Sequence, residues 1–216
     1  MSHVETIADG ITCYDEFLSP EDCRAILEEL EVAFWRPSKV IQRDSKHKHY
    51  EMLSHTRISH TAGQEWFSTN LNTILKSVEK RLCQRVHSKP DRLEFWQATR
   101  YPFKGAFDYH LDAGCWADHP AGERSRTFLL YLDTPAKGGD THFRAFDISI
   151  AAQAGRLLVW DNLFANGDCN YRMMHSGRPL LKGNKTTLVT WERQKRLRFQ
   201  TPPNKGSNYA DEQKAA

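Results

Sequence analysis

Tyr109-His110-Leu111-Asp112 and, far downstream, Met174-His175-Ser176-Gly177 carry the reading of this chain. In an extended strand residues i and i+2 share a face, so the imidazole of His110 and the carboxylate of Asp112 converge on one point. His175, from another strand, would complete a two-histidine, one-carboxylate triad. That set leaves open positions on non-haem Fe(II) for a cosubstrate and O2. Outward from these stretches, the chain from Leu93 onward reads as short runs rich in β-branched and aromatic residues, separated by Gly, Pro, Asn and Asp. Strands are predicted near residues 93–101, 106–112, 126–133, 147–150, 155–160, 171–176 and 186–193. Short strands without intervening helices predict a double-sheet jelly roll, the cupin-like double-stranded β-helix barrel.

Upstream the period is helical. Ser19 is a good N-cap with Pro20 at the first helical position. Cys23, Ile26, Leu27 and Leu30 continue one amphipathic helix to about Val32. A second is predicted from about Gln64 to Val86, with Phe67, Leu71, Ile74, Leu75, Val78 and Leu82 on its apolar side. The expectation is a mainly β fold with flanking helices that buttress one sheet. It forms a single domain over residues 1–199, helices mostly before residue 90 and strands after. Residues 200–216 lose apolar periodicity and read as a mobile tail.

Composition narrows the function classes. A net charge of +3 on 216 residues is too small to argue for nucleic acid as a partner. Five cysteines, an odd number without C-x-x-C spacing, suggest reduced thiols and a cytoplasmic location. Met1 to Gly10 carry acids and no apolar run, unlike a signal peptide, and no segment has the apolar length of a membrane span. Nothing here fixes the oligomeric state. His3-Val4-Glu5 and His49-Tyr50-Glu51 share the His-x-acid spacing, but the first lies at the terminus and the second in the basic stretch Lys46-His47-Lys48-His49. Both read as surface histidines.

Five ordered blocks over roughly residues 11–193 resemble the prolyl 4-hydroxylase-type 2-oxoglutarate- and Fe(II)-dependent dioxygenases. They are Asp15-Glu16-Phe17-Leu18-Ser19-Pro20-Glu21-Asp22-Cys23; Gln97-Ala98-Thr99-Arg100-Tyr101 leading into His110; Leu130-Tyr131-Leu132-Asp133 with Gly138-Gly139-Asp140-Thr141-His142-Phe143; Gly155-Arg156-Leu157-Leu158-Val159-Trp160-Asp161-Asn162; and His175-Ser176-Gly177-Arg178-Pro179 running on to Gly183 and Lys185. The resemblance implies that His110, Asp112 and His175 hold Fe(II) and carry the catalysis. It implies that 2-oxoglutarate is bound by Lys185 at its C5 carboxylate, with Tyr131, Tyr101 and Thr127 around it. The activity implied is hydroxylation of an unactivated C–H bond in a prolyl residue, a free amino acid or another small metabolite. O2 is consumed, 2-oxoglutarate becomes succinate and CO2, and L-ascorbate keeps the iron reduced. Retention of Asp112 favours hydroxylation over halogenation, since related halogenases have a small residue there.

The substrate is less legible. Arg57, in Thr56-Arg57-Ile58-Ser59, together with Arg178 and Trp191, are the candidate contacts to a small-molecule or peptide substrate. The family usually has Trp after the clamp lysine, and Thr186 stands there in this chain. His142 reads as structural or substrate-facing, and His119 as a residue that approaches the site. The polar stretches Arg36 to His60 and Ala113 to Glu123 are expected to be mobile loops that close over the iron. Two other classes compete: an oxygenase of nucleotides or nucleic acid, which would use the basic stretch, and a cupin-like binding protein without turnover.

Overall fold

The computed structural model describes residues 3–43 and 49–198. The expected tail and Lys46-His47-Lys48 lie outside the described residues. Six strands precede residue 64, against the expectation that helices come first: β1 (Val4–Ala8), β2 (Ile11–Tyr14), β3 (Arg36–Pro37), β4 (Val40–Arg43), β5 (His49–Met52) and β6 (His60–Gly63). The rest are β7 (Gln97–Arg100), β8 (Phe107–His110), β9 (Arg124–Tyr131), β10 (Lys137–Gly138), β11 (Thr141–Phe143), β12 (Ile148–Ile150), β13 (Leu157–Asp161), β14 (His175–Gly177), β15 (Leu180–Lys182) and β16 (Thr186–Arg193).

Two antiparallel sheets organise them. The major sheet runs β1-β2-β13-β9-β16-β7-β6-β3 and the minor one β12-β11-β14-β8. This is the double-stranded β-helix predicted. The early strands are working members of the major sheet; β2, with Ile11 and Cys13 buried in alternation, pairs directly with β13.

Period-two alternation on the major sheet separates core from site. Leu157 and Val159 on β13, Phe128 and Leu130 on β9, Leu188 on β16 and Ala98 on β7 face one way, into a cluster with the helices. On the opposite face, Gln97 and Thr99, Thr127 and Leu129, and Thr187, Val189 and Trp191 line a cavity of about 350 Å³. A second apolar cluster, including Ile11, Tyr131, Phe143, Leu158, Trp160 and Met173, fills the neighbouring space between the sheets.

Helix α1 (Pro20–Leu30) begins where the cap signal put it: the Ser19 hydroxyl accepts from the Asp22 N–H, and the Asp22 carboxylate accepts from the Ser19 N–H. Helix α2 (Thr69–Val86) starts later than predicted. Gln64–Trp66 forms a separate 3₁₀ turn, and the Ser68 hydroxyl caps α2 through the Leu71 N–H at 2.9 Å. Ile26 and Leu30 of α1 and Leu71, Leu75, Val78 and Leu82 of α2 bury against the major sheet. Burying one such side chain contributes about 1.5–3 kcal/mol, so the helices stabilise the outer face and leave the inner face for chemistry.

Both stretches expected to be mobile loops contain paired strands or hydrogen-bonded turns among their described residues. In residues 36–60, β4 pairs antiparallel with β5, and Lys39 pairs with Glu51 at 3.3 Å. Residues 113–123 wrap around Glu123, whose carboxylate accepts from the Gly114 N–H at 3.0 Å and the Trp116 N–H at 2.6 Å.

Candidate active site

His175 on β14 faces His110 on β8 across the minor sheet as a register pair. Asp112 lies two residues further on, just past the end of β8 rather than within it. The three residues offer ligand atoms that all lie within 4.8 Å of one another. His110 Nε2 is 3.9 Å from Asp112 Oδ1, and His175 Nε2 is 3.9 Å from Asp112 Oδ2.

Each histidine is oriented by the same device. His110 Nδ1 lies 2.8 Å from the carbonyl oxygen of Asp108, and His175 Nδ1 lies 2.9 Å from that of Met173. A carbonyl only accepts, so both Nδ1 atoms carry hydrogen and both Nε2 lone pairs point at the gap. Burial, together with the neighbouring His175, pushes His110 down to about 3, against the pull of Asp112. Its imidazole is therefore neutral and able to ligate. For Asp112 burial works to raise the pKa, but His175 and His110 outweigh it and hold the carboxyl below its ordinary range. Two imidazoles held through Nδ1 and one carboxylate, with both Nε2 atoms converging on it, fit a 2-His-1-carboxylate Fe(II) centre.

Thr127 has a different part from the one expected. Its hydroxyl donates to Asp112 Oδ2 at 2.7 Å and accepts from Asn162 Nδ2 at 2.8 Å. It holds the carboxylate instead of turning to a cosubstrate. Tyr131 is fully buried, and its hydroxyl donates to Thr141 Oγ1 at 2.7 Å. Thr141 lines the cavity and Tyr131 stands behind it.

Lys185 and Tyr101 lie side by side. Both line the cavity, and Lys185 Nζ lies 4.3 Å from the centre of the Tyr101 ring. Lys185 is 3% exposed, and burial, opposed only by Asp140, pushes it down to about 8. Among the described residues no carboxylate lies within ion-pair distance of it. Gly177 explains the space beside it: a Cβ there would sit 3.5 Å from both Lys185 Nζ and Tyr101 Oη. A buried ammonium, a phenol hydroxyl and a missing side chain make a cradle for a carboxylate. Lys182 is exposed on β15, as its place in the sequence suggested.

The substrate candidates divide. Arg57 and Trp191 line the cavity. Arg178 does not; it is exposed on the turn after β14 and pairs with Asp140 at 3.6 Å. The turn carries it away from the cavity wall. His119 accepts from the Ala121 N–H at 3.1 Å and is absent from the cavity wall. His142 is structural, held between the Tyr109 hydroxyl at 2.7 Å and Asp147 at 3.2 Å. Sequence reasoning missed Arg124, which grips Glu94 at 2.7 and 2.8 Å and stacks 3.6 Å from the Trp191 ring centre. It also missed Asn162, although the block ending there was its signal.

Residues 96–193 match the family model of the 2OG-Fe(II) oxygenase superfamily. Among curated proteins, the prolyl 4-hydroxylase subunit alpha-3 of Rattus norvegicus is 25% identical over 199 residues, covering 89% of this chain and 35% of that protein. The subunit alpha-1 of Homo sapiens is 27% identical over 154 residues, covering 68% of this chain and 28% of that protein. The chain thus spans about a third of the length of such relatives. Of solved structures, the viral collagen prolyl hydroxylase of Paramecium Bursaria Chlorella virus-1, in its 2OG complex, superposes with TM-score 0.64 at 19% identity, covering 87% of this chain and 99% of that one. A prolyl hydroxylase of Trichoplax adhaerens, in complex with a hypoxia inducible factor peptide fragment, gives TM-score 0.57 at 16% identity over 87% and 84% of the two chains. These structural likenesses bear on the fold.

Proposed function

We propose, from the match of residues 96–193 to the 2OG-Fe(II) oxygenase superfamily model and from the site above, that this chain is a 2-oxoglutarate- and Fe(II)-dependent dioxygenase that hydroxylates an unactivated C–H bond. The balance is one O2 and one 2-oxoglutarate consumed, with succinate, CO2 and the hydroxylated product formed. The observation that carries the reading is the adjacency, in one cavity, of an oriented His110–Asp112–His175 triad and the unpaired Lys185.

His110, Asp112 and His175 would hold the iron, which when bound supplies O2 activation and the oxidising power. The protein's own contributions are geometric and electrostatic. The Nδ1–carbonyl contacts fix both rings before any ion arrives. Thr127, itself held by Asn162, fixes one carboxylate oxygen of Asp112. Lys185 neutralises the C5 carboxylate of the cosubstrate, and Gly177 leaves room for it. Trp160, whose ring centre is 4.6 Å from that of His175, keeps one wall of the site dry. The names of the relatives support a prolyl residue or proline-like molecule as substrate, and the chemistry of the centre makes ascorbate the expected reductant of the iron. The five free cysteines support a reducing, cytoplasmic setting.

The test is anaerobic titration of the protein with Fe(II) and then 2-oxoglutarate, followed by visible absorption and by succinate release once O2 is admitted. One iron and one cosubstrate are expected to bind, and His175→Ala should abolish the visible band. An unchanged band in that variant, or no binding in the parent protein, would refute the reading.

A further inference from the structure

Arg57 is the one cavity-lining cation other than Lys185 that has only neutral partners among the described residues. Its Nη1 donates to the Lys39 carbonyl at 3.1 Å, its Nε to Ser59 Oγ at 3.3 Å and its Nη2 to Thr61 Oγ1 at 3.4 Å. No carboxylate lies within ion-pair distance of it, whereas Lys39 is paired with Glu51 and Arg124 with Glu94. Burial, opposed by Tyr101 and Asp112, lowers its pKa, yet a guanidinium keeps its proton. Five donors with three used leave two N–H groups without an acceptor among the described residues.

The charge of the loaded cavity makes this surplus specific. Fe(II) and Lys185 together match Asp112 and the dianion of 2-oxoglutarate. Of the other charged residues lining the cavity, Lys39 pairs with Glu51 and Arg124 with Glu94, and Asp108 is exposed and, among the described residues, not within ion-pair distance of Arg57. Arg57 is half-buried, and a ligand carboxylate that accepts a forked, charge-assisted pair of hydrogen bonds would satisfy it.

Distance then limits the size of that ligand. Arg57 Cζ sits 4.6 Å from the Phe107 ring centre, and Phe107 stacks on His110 with ring centres 3.6 Å apart. The guanidinium is therefore no more than about 8 Å from the imidazole of a metal ligand. A carboxylate on Arg57 and a reacting carbon at the metal are separated by only a few bonds. Trp191, on the same cavity wall, has an indole N–H without an acceptor among the described residues.

We propose that the substrate carries its own carboxylate, held by Arg57, within a few bonds of the C–H that is hydroxylated. An α-amino acid or the C-terminal residue of a peptide has that chemistry; an internal residue of a chain, whose carboxyl is an amide, does not. The proposal rests on the dioxygenase reading above and narrows its substrate. It makes Arg57 a specificity-determining residue.

The experiment uses the anaerobic protein saturated with Fe(II) and 2-oxoglutarate, so that Lys185 is already occupied. N-acetyl amino acids with varied side chains, proline among them, are titrated as matched pairs, free acid against primary amide. The unacetylated amino acids form a third arm. Dissociation constants come from calorimetry, and substrate-dependent succinate release is read in air. For the preferred side chain, the acid should bind at least about tenfold more tightly than its amide, as a charge-assisted hydrogen bond is worth. In Arg57→Gln the acid and amide should bind alike, and Arg57→Lys should restore part of the preference. The third arm separates the sources: tighter binding of the free amino acid points to a metabolite, tighter binding of the acetylated acid to a peptide end. Equal binding of acids and amides, preference for an amide, a preference that survives in Arg57→Gln, or no acid bound at all would overturn the proposal. Failure of the dioxygenase reading looks different: the protein would not take up Fe(II) and 2-oxoglutarate in the first place.

Discussion

Replacing Lys185 with methionine should strengthen the fold and weaken the function. The side chains are close in volume, so packing changes little and the charge is what is lost. Burial lowers the lysine from its ordinary 10.5 to about 8. At about 1.4 kcal/mol per unit, holding the charged form inside costs the free protein about 3 kcal/mol. The sign follows from proton counting. Between pH 8 and 10.5 the unfolded chain binds the proton and the native one does not, so stability rises with pH across that window. Below about pH 8 both states are protonated and the whole cost is present. Lys185→Met should therefore raise the melting temperature at pH 7 by roughly 6–12 °C for a chain of this size, with the gain fading as pH approaches 10.5. In the same variant the C5 carboxylate of 2-oxoglutarate would be buried without a partner, a loss of about 3–5 kcal/mol, or at least a hundredfold in affinity. The parent protein should bind 2-oxoglutarate more weakly as pH rises above 8, with uptake of a proton, because the free lysine is then neutral. Calorimetry in buffers of different ionisation enthalpy measures that uptake, and thermal melts from pH 6 to 10.5 measure the stability. A variant that melts lower at pH 7, or that keeps its cosubstrate affinity, would falsify the description of Lys185 as an unpaired buried cation.

Gly177→Ala should place a methyl between Lys185 and Tyr101 and cut 2-oxoglutarate affinity while iron binding, followed by anaerobic titration, stays intact. Thr127→Val removes the hydroxyl that holds Asp112 and should weaken Fe(II) binding about 10–100-fold, as loss of such supporting contacts does; an effect on 2-oxoglutarate alone would return Thr127 to the role the sequence first suggested. Lys182→Ala and Arg178→Ala should leave both affinities within a factor of about two, and a large loss at either would mean that the β14–β16 register is misplaced.

The sequence was most legible where periodicity and position coincide. Of the residues that the resemblance named, Thr127 and Lys185 line the cavity, while Tyr131 stands behind Thr141. Periodicity cannot say which hydroxyl meets which acceptor. The partners of Thr127 are Asp112 and Asn162, 15 and 35 residues away, joined only by folding. Arg178 failed for a related reason, since being near His175 in sequence says nothing of the direction a turn takes. Strands β4 and β5 escaped because each is four residues long with polar residues on both faces, so that alternation there leaves little contrast. Arg124 was hidden because an arginine that lines a cavity and one that lies on the surface look alike in a sequence.

The two sheets that share the triad bear on how firmly its geometry is held. His110 and His175 hang from the minor sheet, while Thr127 on the major sheet holds the oxygen of Asp112. The layers also meet through apolar packing such as Phe143 against Trp160. Sliding of one sheet on the other would carry Asp112 against the two histidines, so the stiffness of the packing between the layers sets how closely the three ligand atoms keep within 4.8 Å of one another.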